Sequence, residues 1–425
     1  MDINRKTAFD VLMDVEKNGA YSNLSLNSFI EKNRPDSPAF VRELVYGVLR
    51  NRMLLDWFLG QLIPSGLKKI KKQDLTLLRM GVYQLSYMKS VPEYAAVSET
   101  VNMAKKLARG RERFINGVLR EYSRNRQQLV LPDREVNLEE YLSIVYSVER
   151  WIVRLWTDAY GGEKTEALLK ASNETPELAV RVNLMKTDRK SLKEKLEALG
   201  FEAAESEVSD RALLVKGSGL LDTELYREGM FSVQDEASIL ASDALEAKPG
   251  DCIADVCAAP GGKTFATAEL MAGKGVIYAM DKYEHKLKLM EAQAKRAGIE
   301  NIRLLKHDST EPVEGLKERM DKVLADVPCS GLGVIRRKPE IKYKGMQDLD
   351  ELIERQRQIL QAAASYVKAG GTLVYSTCTI NPVENEKQIV EFLRGNKEFK
   401  ALEQKQLLPD GGTDGFFICR MRKEQ

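Results

Sequence analysis

The sequence has few of the residues from which metal sites and disulfide frameworks are built. Of its 425 residues, only two are histidines, His285 and His307, and only five are cysteines. No two cysteines have the CxxC spacing of a zinc site, and an odd number does not favour a disulfide framework. No metal site is therefore expected, and the cysteines are candidates to act as thiols.

Long apolar segments are missing as well. No apolar run approaches the roughly 20 residues that span a bilayer. The first ten residues, MDINRKTAFD, lack the apolar stretch of a signal peptide. We therefore expect a cytoplasmic protein with no membrane partner, and the length favours two or three domains.

Positive charge is concentrated in the N-terminal third. Residues 1–135 hold 23 Lys and Arg against 15 Asp and Glu, whereas the remainder holds 42 against 48. Two clusters stand out in the basic part, KKIKK at 68–72 and KKLARGRER at 105–113. Cations at this density neutralise phosphates whatever the base sequence, so this third is a candidate RNA-binding module. A solvated helical surface is the alternative interpretation.

Three stretches of the chain differ in pattern. Residues 1–130 have apolar side chains at three- to four-residue spacing between prolines, which predicts a helical bundle. After a linker at 127–140, residues 141–230 alternate helical and strand-like stretches and form a small α+β segment of unassigned role. Residues 231–425 alternate strands and helices, which predicts a parallel, doubly wound α/β sheet.

Five apolar runs are the expected strands of that sheet, CIADV, VIYAM, IRLLK, KVLAD and TLVYS. The later run GFFICRMRK is expected to add an antiparallel strand. In such sheets, ligands bind beyond the carboxyl ends of the strands.

The sequence DVCAAPGGKT (255–264) follows the first expected strand and suits two kinds of ligand. Its GKT at 262–264 matches the second half of a phosphate loop, for which Asp326 at the end of KVLAD would bind magnesium. However, Cys257 replaces the first glycine of that pattern, and Pro260 removes a backbone donor that a phosphate loop uses. A phosphate-loop NTPase is therefore the less favoured interpretation.

The other ligand is a nucleoside. Asp281 ends the second strand, 20 residues after Gly261, and a carboxylate at about that distance can accept hydrogen bonds from ribose hydroxyls. Asp308 ends the third strand, where it is placed to meet an adenine edge. Neither residue has a role in a phosphate loop, so the pair favours a nucleoside-binding, Rossmann-like site.

Two cysteines follow the next two strands. Cys329 lies in DVPCSG and Cys378 in STCT, so both are expected at the same end of the sheet as the glycine loop. Cys252 and Cys419 are expected to be inert packing, as buried cysteines usually are.

In this order, DVCAAPGGKT, DVPCSG and STCT resemble the motifs of the RNA 5-methylcytosine methyltransferase family, which uses S-adenosylmethionine. GMFSVQDEAS (229–238) and GVIRRKPEIKY (333–343) resemble flanking motifs, and FINGVLR (114–120) resembles the NusB-like RNA-binding domain. The resemblance implies a NusB-like α-helical domain and a Rossmann-like class I methyltransferase domain. It implies a cytosine of 16S ribosomal RNA as target, in free RNA or a small-subunit assembly particle. A monomer is expected, because nothing in the sequence demands a larger assembly.

The resemblance also implies roles for individual residues. Cys378 is the nucleophile that adds to the cytosine ring, and Cys329 takes part in product release. From the residues alone the two cysteines could be exchanged, because DNA cytosine methyltransferases attack through a Pro-Cys cysteine. Asp326 binds the base, and Lys263 is the cation expected to favour a thiolate.

The cofactor residues implied by the family pattern surround the glycine loop. Asp281 would bind the ribose, Asp308 would lie near the adenine, and Asp326 would lie between cofactor and base. The methionine part would lie against Cys257, Ala258, Ala259, Pro260, Gly261, Gly262 and Lys263.

A third class of protein is an RNA-binding or antitermination factor whose catalytic half is vestigial. The presence of cysteines at both 329 and 378 argues against it.

Overall fold

A computed structural model of the protein describes residues 1–424, which form two compact units. The first unit comprises residues 1–173 together with 335–345, and the second comprises the rest. No helix in the described part of the chain is long and apolar enough to cross a membrane.

The first unit is helical, as its apolar periodicity predicts. Leu44, Val48 and Leu55 lie in its core, and burying a side chain of this kind contributes roughly 1.5–3 kcal/mol. Ser37 begins the third helix as its N-cap by accepting from the backbone N–H of Phe40. The helices are α1 (Ile3–Asn18), α2 (Ser22–Asn33), α3 (Pro38–Arg50), α4 (Arg52–Leu62), α5 (Lys72–Tyr87), α6 (Glu93–Leu107), α7 (Glu112–Asn125), α8 (Leu138–Val145), α9 (Arg150–Tyr160) and α10 (Gly162–Asn173).

Residues 335–345 belong to the first unit, although the chain on both sides belongs to the second. Lys342 is fully buried there. Its ammonium donates to the carbonyl oxygens of Arg50 and Tyr146 at 2.9 and 2.8 Å, and to the side chain of Asn173. Burial, followed by the charge of Arg50, lowers the pKa of Lys342 well below its usual value.

These units differ in two places from the sequence-based division at 130, 141 and 231. Helices α8–α10 belong to the first compact unit, and residues 335–345 belong there too. Local patterns indicate single elements, whereas membership of a unit depends on contacts between distant parts of the chain. The three-domain division stays a prediction.

The second unit begins with a four-stranded antiparallel sheet in the order β2-β3-β1-β4. Val180, Leu192, Leu213 and Phe231 form its core. The elements are β1 (Leu178–Val182), α11 (Arg189–Ala198), β2 (Glu202–Glu205), β3 (Ala212–Lys216), α12 (Glu224–Arg227) and β4 (Phe231–Val233).

A seven-stranded sheet follows, in the order β10-β11-β9-β8-β5-β6-β7. Its strands are β5 (Cys252–Asp255), β6 (Val276–Asp281), β7 (Ile302–Lys306), β8 (Met320–Asp326), β9 (Val367–Thr377), β10 (Phe399–Leu407) and β11 (Phe416–Lys423). Its helices are α13 (Glu236–Asp243), α14 (Gly262–Leu270), α15 (Glu284–Ala297), α16 (Leu349–Tyr366) and α17 (Glu386–Gly395).

The predicted parallel sheet is confirmed for β5–β9, which are the five apolar runs. β11 pairs antiparallel with β9, as expected for the run GFFICRMRK. The chain leaves β5 in one direction through β6 and β7 and returns beside β5 as β8. The carboxyl ends of β5 and β8 are therefore the point where a doubly wound sheet binds its ligand.

Candidate active site

The glycine loop lies at the carboxyl end of β5 and leads into α14. Gly261 has a φ of +104°, and an added Cβ would lie 2.4 Å from the ring of Phe265, so only glycine fits. The loop is held by hydrogen bonds from Gly261 N to Ala258 O at 2.7 Å and from Ala258 N to Met280 O at 2.8 Å. The N-terminus of α14 is thereby placed beside the ends of β5 and β6.

Asp326, at the end of β8, holds a lysine from this loop. Its Oδ2 accepts from Lys263 Nζ at 2.8 Å, and its Oδ1 accepts from Ser376 Oγ at 2.8 Å. Lys263 Nζ also lies 4.9 Å from the centre of the Phe416 ring. Burial lowers the pKa of Lys263, but the carboxylate of Asp326 outweighs this and raises it above its usual value. Lys263 is therefore a fixed cation beside Asp326.

The two loop cysteines face each other. Cys329 Sγ and Cys378 Sγ are 3.3 Å apart. The contact with Cys378, together with burial, raises the pKa of Cys329 well above its usual value, so Cys329 is a protonated thiol at neutral pH. A thiolate on Cys378 raises the pKa of Lys263. Because such coupling is reciprocal, the ammonium of Lys263 stabilises that thiolate.

The two residues predicted to bind a nucleoside are Asp281, at the carboxyl end of β6, and Asp308, after β7. Asp281 Oδ1 accepts from Tyr283 N at 2.9 Å. Asp308 accepts from Lys282 Nζ at 2.7 Å, and this interaction lowers the pKa of Asp308 to about 2. Burial, and then nearby carboxylates that include Asp281 and Asp308, raise the pKa of Cys257 well above its usual value. Cys257 is therefore a neutral thiol that lies near several carboxylates, Asp281 and Asp308 among them.

Asp255 is a site residue that sequence reasoning missed. It is buried at the end of β5, where its Oδ2 accepts from Thr264 Oγ1 at 2.7 Å and its Oδ1 has no partner in the protein. Burial raises the pKa of Asp255 to about 7. The only sequence signal for it is an acidic residue at a strand end directly before the glycine loop.

A second unpaired acceptor comes from the segment between β4 and α13 and lies against the glycine loop. Gln234 Oε1 is buried without a partner in the protein and is 3.8 Å from the position of an added Cβ on Gly262. Buried acceptors of this kind are rare unless a ligand satisfies them. Together with Asp255 Oδ1 it fits a ligand that brings N–H donors, as the ammonium of S-adenosylmethionine does. Within residues 1–424, no three His, Cys, Asp or Glu side chains are grouped to hold a metal ion.

The structure brings Lys263, Asp326, Cys329 and Cys378 together, as the sequence predicted, although their chemical roles stay predictions. It also adds Ser376, which donates to Oδ1 of Asp326, the carboxylate oxygen that Lys263 does not contact. The doubly wound sheet, the glycine loop at its crossover point, Asp281 at the end of β6 and Asp308 after β7 match the Rossmann-like fold of methyltransferases.

Comparison with known proteins gives the family. A family model described as 16S rRNA methyltransferase RsmB/F matches residues 242–422, the NusB family matches 2–124, and an RsmF/B-like ferredoxin-like domain matches 148–220. The Bacillus subtilis (strain 168) protein named probable ribosomal RNA small subunit methyltransferase B is 39% identical over 99% of this chain and 98% of its own length. The chain therefore belongs to the 16S rRNA methyltransferase RsmB/F family.

Solved structures agree with this assignment. The crystal structure of PH0851 is 26% identical with a TM-score of 0.86, and the match covers 100% of this chain and 99% of that one. A methyltransferase homolog protein from Pyrococcus horikoshii is 27% identical with a TM-score of 0.61, covering 66% of this chain and 97% of that one. The predicted fold class, a NusB-like helical domain plus a Rossmann-like methyltransferase domain, is confirmed.

Proposed function

We propose that this protein transfers a methyl group from S-adenosylmethionine to carbon-5 of a cytosine in 16S ribosomal RNA. The reaction passes through a bond between Cys378 Sγ and carbon-6 of the base. The observation that carries this proposal is the pair of thiols whose sulfur atoms are 3.3 Å apart. The ion pair of Lys263 and Asp326 lies nearby. Two facing thiols beside a fixed cation suit covalent activation of a pyrimidine and have no use in an NTPase.

S-adenosylmethionine fits the residues around the glycine loop. Asp255 Oδ1 and Gln234 Oε1 are unpaired acceptors that would hold its ammonium group, and residues 257–263 would lie along its methionine part. Asp281 would bind the ribose hydroxyls, and Asp308 would lie near the adenine edge. When bound, the cofactor supplies an electrophilic methyl group.

The protein's own groups carry the remaining chemistry. Lys263 favours a thiolate on Cys378, which adds to carbon-6. Asp326 accepts a hydrogen bond from the amino group of the base and shares a proton with the ring nitrogen, which gains negative charge in the adduct. This addition turns carbon-5 into a nucleophile. After methylation, a base takes the proton from carbon-5, the double bond between carbon-5 and carbon-6 re-forms, and the bond from carbon-6 to Cys378 Sγ breaks to return a thiolate. Cys329 is proposed as that base: the contact with Cys378 that keeps it protonated in the free enzyme is lost in the adduct, so Cys329 releases its own proton to solvent and then accepts the one from carbon-5.

The first unit is proposed to hold RNA phosphates. A groove of about 710 Å³ between α6 and α7 is lined by four cations, Lys105, Arg113, Arg120 and Arg124, against two carboxylates, Glu93 and Glu112, and it lies beside the exposed ring of Tyr94. Cations bind phosphates without reading sequence, and an exposed ring can stack on an unpaired base. The target base has to leave its stack to reach the thiols, which favours an unpaired region of RNA.

Methyl transfer is tested with methyl-labelled S-adenosylmethionine and two substrates free of modification, naked 16S RNA and small-subunit particles. Label in 5-methylcytosine after digestion to nucleosides supports the proposal, and the better substrate identifies the natural partner. The proposed monomer is checked by the mass of the enzyme in solution. If neither substrate is labelled and the protein binds magnesium–ATP in a way that Lys263→Ala abolishes, the NTPase is favoured instead.

The roles of the two cysteines predict opposite trapping behaviour. Cys329→Ala should accumulate a covalent complex with RNA, because attack proceeds and release fails, whereas Cys378→Ala should form none. Denaturing gel electrophoresis of labelled RNA measures this complex. Cys252→Ala is the control, since Cys252 lies half-buried at the start of β5. A complex with Cys378→Ala alone would reverse the assignment.

A further inference from the structure

A buried carboxylate with no role in the mechanism above lies six residues after Cys378. Glu384 has no exposed surface. Its Oε2 accepts from Ser330 N at 2.8 Å and Gln356 Nε2 at 2.9 Å. Its Oε1 accepts from Ser330 Oγ at 2.5 Å and Asn381 Nδ2 at 3.0 Å. All four contacts are donors to one carboxylate.

These hydrogen bonds join the two loops that carry the thiols. Ser330 directly follows Cys329, and Glu384 accepts hydrogen bonds from both its backbone N–H and its hydroxyl. The same hydroxyl lies 2.8 Å from Thr379 Oγ1, next to Cys378. A backbone hydrogen bond from Gly333 N to Cys378 O at 3.0 Å also joins the loops, and the Glu384 network adds the side-chain contacts directly beside the two thiols.

The geometry points to Glu384 as a positioning residue for methyl transfer, which sets the separation of the Cys329 and Cys378 sulfur atoms without touching substrate. The inference rests on the cysteine chemistry proposed above. Its physical basis is that two loops from neighbouring strands are fixed by charge-assisted hydrogen bonds to one buried anion.

The site requires a carboxylate and not merely a side chain of the same shape. Both oxygens accept two donors each. A glutamine would place its NH₂ group against two of these donors, because an amide has only one acceptor oxygen. Glu384→Gln therefore keeps the volume but loses the acceptors on one side.

The direct test measures how close the thiols are, independently of activity. Diamide takes two electrons and two protons from a pair of thiols, which form a disulfide while diamide becomes the hydrazine. We expect Glu384→Gln to form the Cys329–Cys378 disulfide about tenfold more slowly than the wild type, measured by peptide mass spectrometry. The same variant should lose about 10- to 100-fold in kcat, the effect of misplacing a catalytic group by about 1 Å. Its KM for S-adenosylmethionine should stay within about twofold.

Two further variants keep the test decisive. Glu386→Gln changes the neighbouring partly exposed glutamate and should behave as the wild type in every readout. Ser330→Ala keeps the carboxylate and removes one donor, so it should slow disulfide formation in the same direction if Glu384→Gln does not fold. Disulfide formation at the wild-type rate in both Glu384→Gln and Ser330→Ala would overturn the inference. A wild-type protein that forms the disulfide but methylates no RNA would instead overturn the proposed function.

Discussion

At the scale of single residues, burial makes Asp255 an acid that titrates near neutral pH. Its pKa is raised to about 7 by burial, against about 3.9 in an unfolded chain. Between these values the folded state holds a proton that the unfolded state has lost, so stability falls as pH rises from about 4 to about 7. At about 1.4 kcal/mol per pH unit, the loss is on the order of 4 kcal/mol.

Asp255→Asn removes this titration. Without cofactor, the variant should gain unfolding free energy relative to the wild type as pH rises from 5 to 8, measured by urea unfolding at both values. Asp350→Asn, at an exposed position on α16, serves as the control and should give the same difference at both pH values. A wild-type–variant difference that does not change with pH would contradict the prediction.

Residues of the site could be predicted where chemistry and position coincide in a short motif. Lys263, Cys329 and Cys378 follow strand ends in distinctive sequences, and the structure brings them together. Asp255 and Glu384 were missed because nothing in their immediate sequence reveals burial. The four donors that define Glu384 come from three separate segments, 330, 356 and 381, and only the folded chain joins them.

At the scale of elements, the small antiparallel sheet holds the helix that begins at the glycine loop. Arg181 on β1 donates to Gly262 O at 2.8 Å and to both carboxylate oxygens of Glu269 on α14 at 2.8 and 2.9 Å. Arg181 and Glu269 are both almost entirely buried. The segment around β1–β4, whose role the sequence did not reveal, thus fixes the start and body of α14.

Breaking this contact should affect both stability and cofactor binding. Arg181→Met leaves Glu269 buried with only Arg211 as a partner, so we expect a loss of about 3–5 kcal/mol in unfolding free energy. The KM for S-adenosylmethionine should rise, because Gly262 is no longer held. Lys216→Met breaks an exposed ion pair on the same sheet and should cost about 0–1 kcal/mol. Equal effects of the two substitutions would refute the role of Arg181.

Elements were predicted well where their apolar pattern reflects burial. β5–β9 coincide with continuous apolar runs because both faces of a parallel sheet are covered. β10 was missed because most of FKALEQKQL is polar and exposed at the edge of the sheet. Its pairing with β11 depends on backbone hydrogen bonds that side-chain patterns do not record.

At the scale of the whole molecule, the chain passes between the two units three times, after residues 173, 334 and 345. The segment 335–345 is therefore a part of the first unit that only the second half of the chain supplies. It is fixed there by buried Lys342 and by Tyr343, whose hydroxyl donates to Leu49 O and whose ring lies 3.5 Å from the guanidinium of Arg52. All of these partners lie within residues 1–173, so a fragment that starts at residue 174 lacks them.

A fragment of residues 174–425 should consequently expose this segment. We expect trypsin to cleave it after Lys342 at least about tenfold faster than it cleaves the full-length protein, because cleavage requires local unfolding that burial suppresses. Mass spectrometry of the peptides measures the rate. Adding residues 1–173 as a separate chain should restore protection if that fragment folds as a helical unit, which circular dichroism checks. Protection of the fragment equal to that of the full-length chain would show that the segment is held by the second unit alone.

Because the segment starts six residues after Cys329, its release should also loosen the thiol-bearing loop, and the fragment should form the Cys329–Cys378 disulfide more slowly.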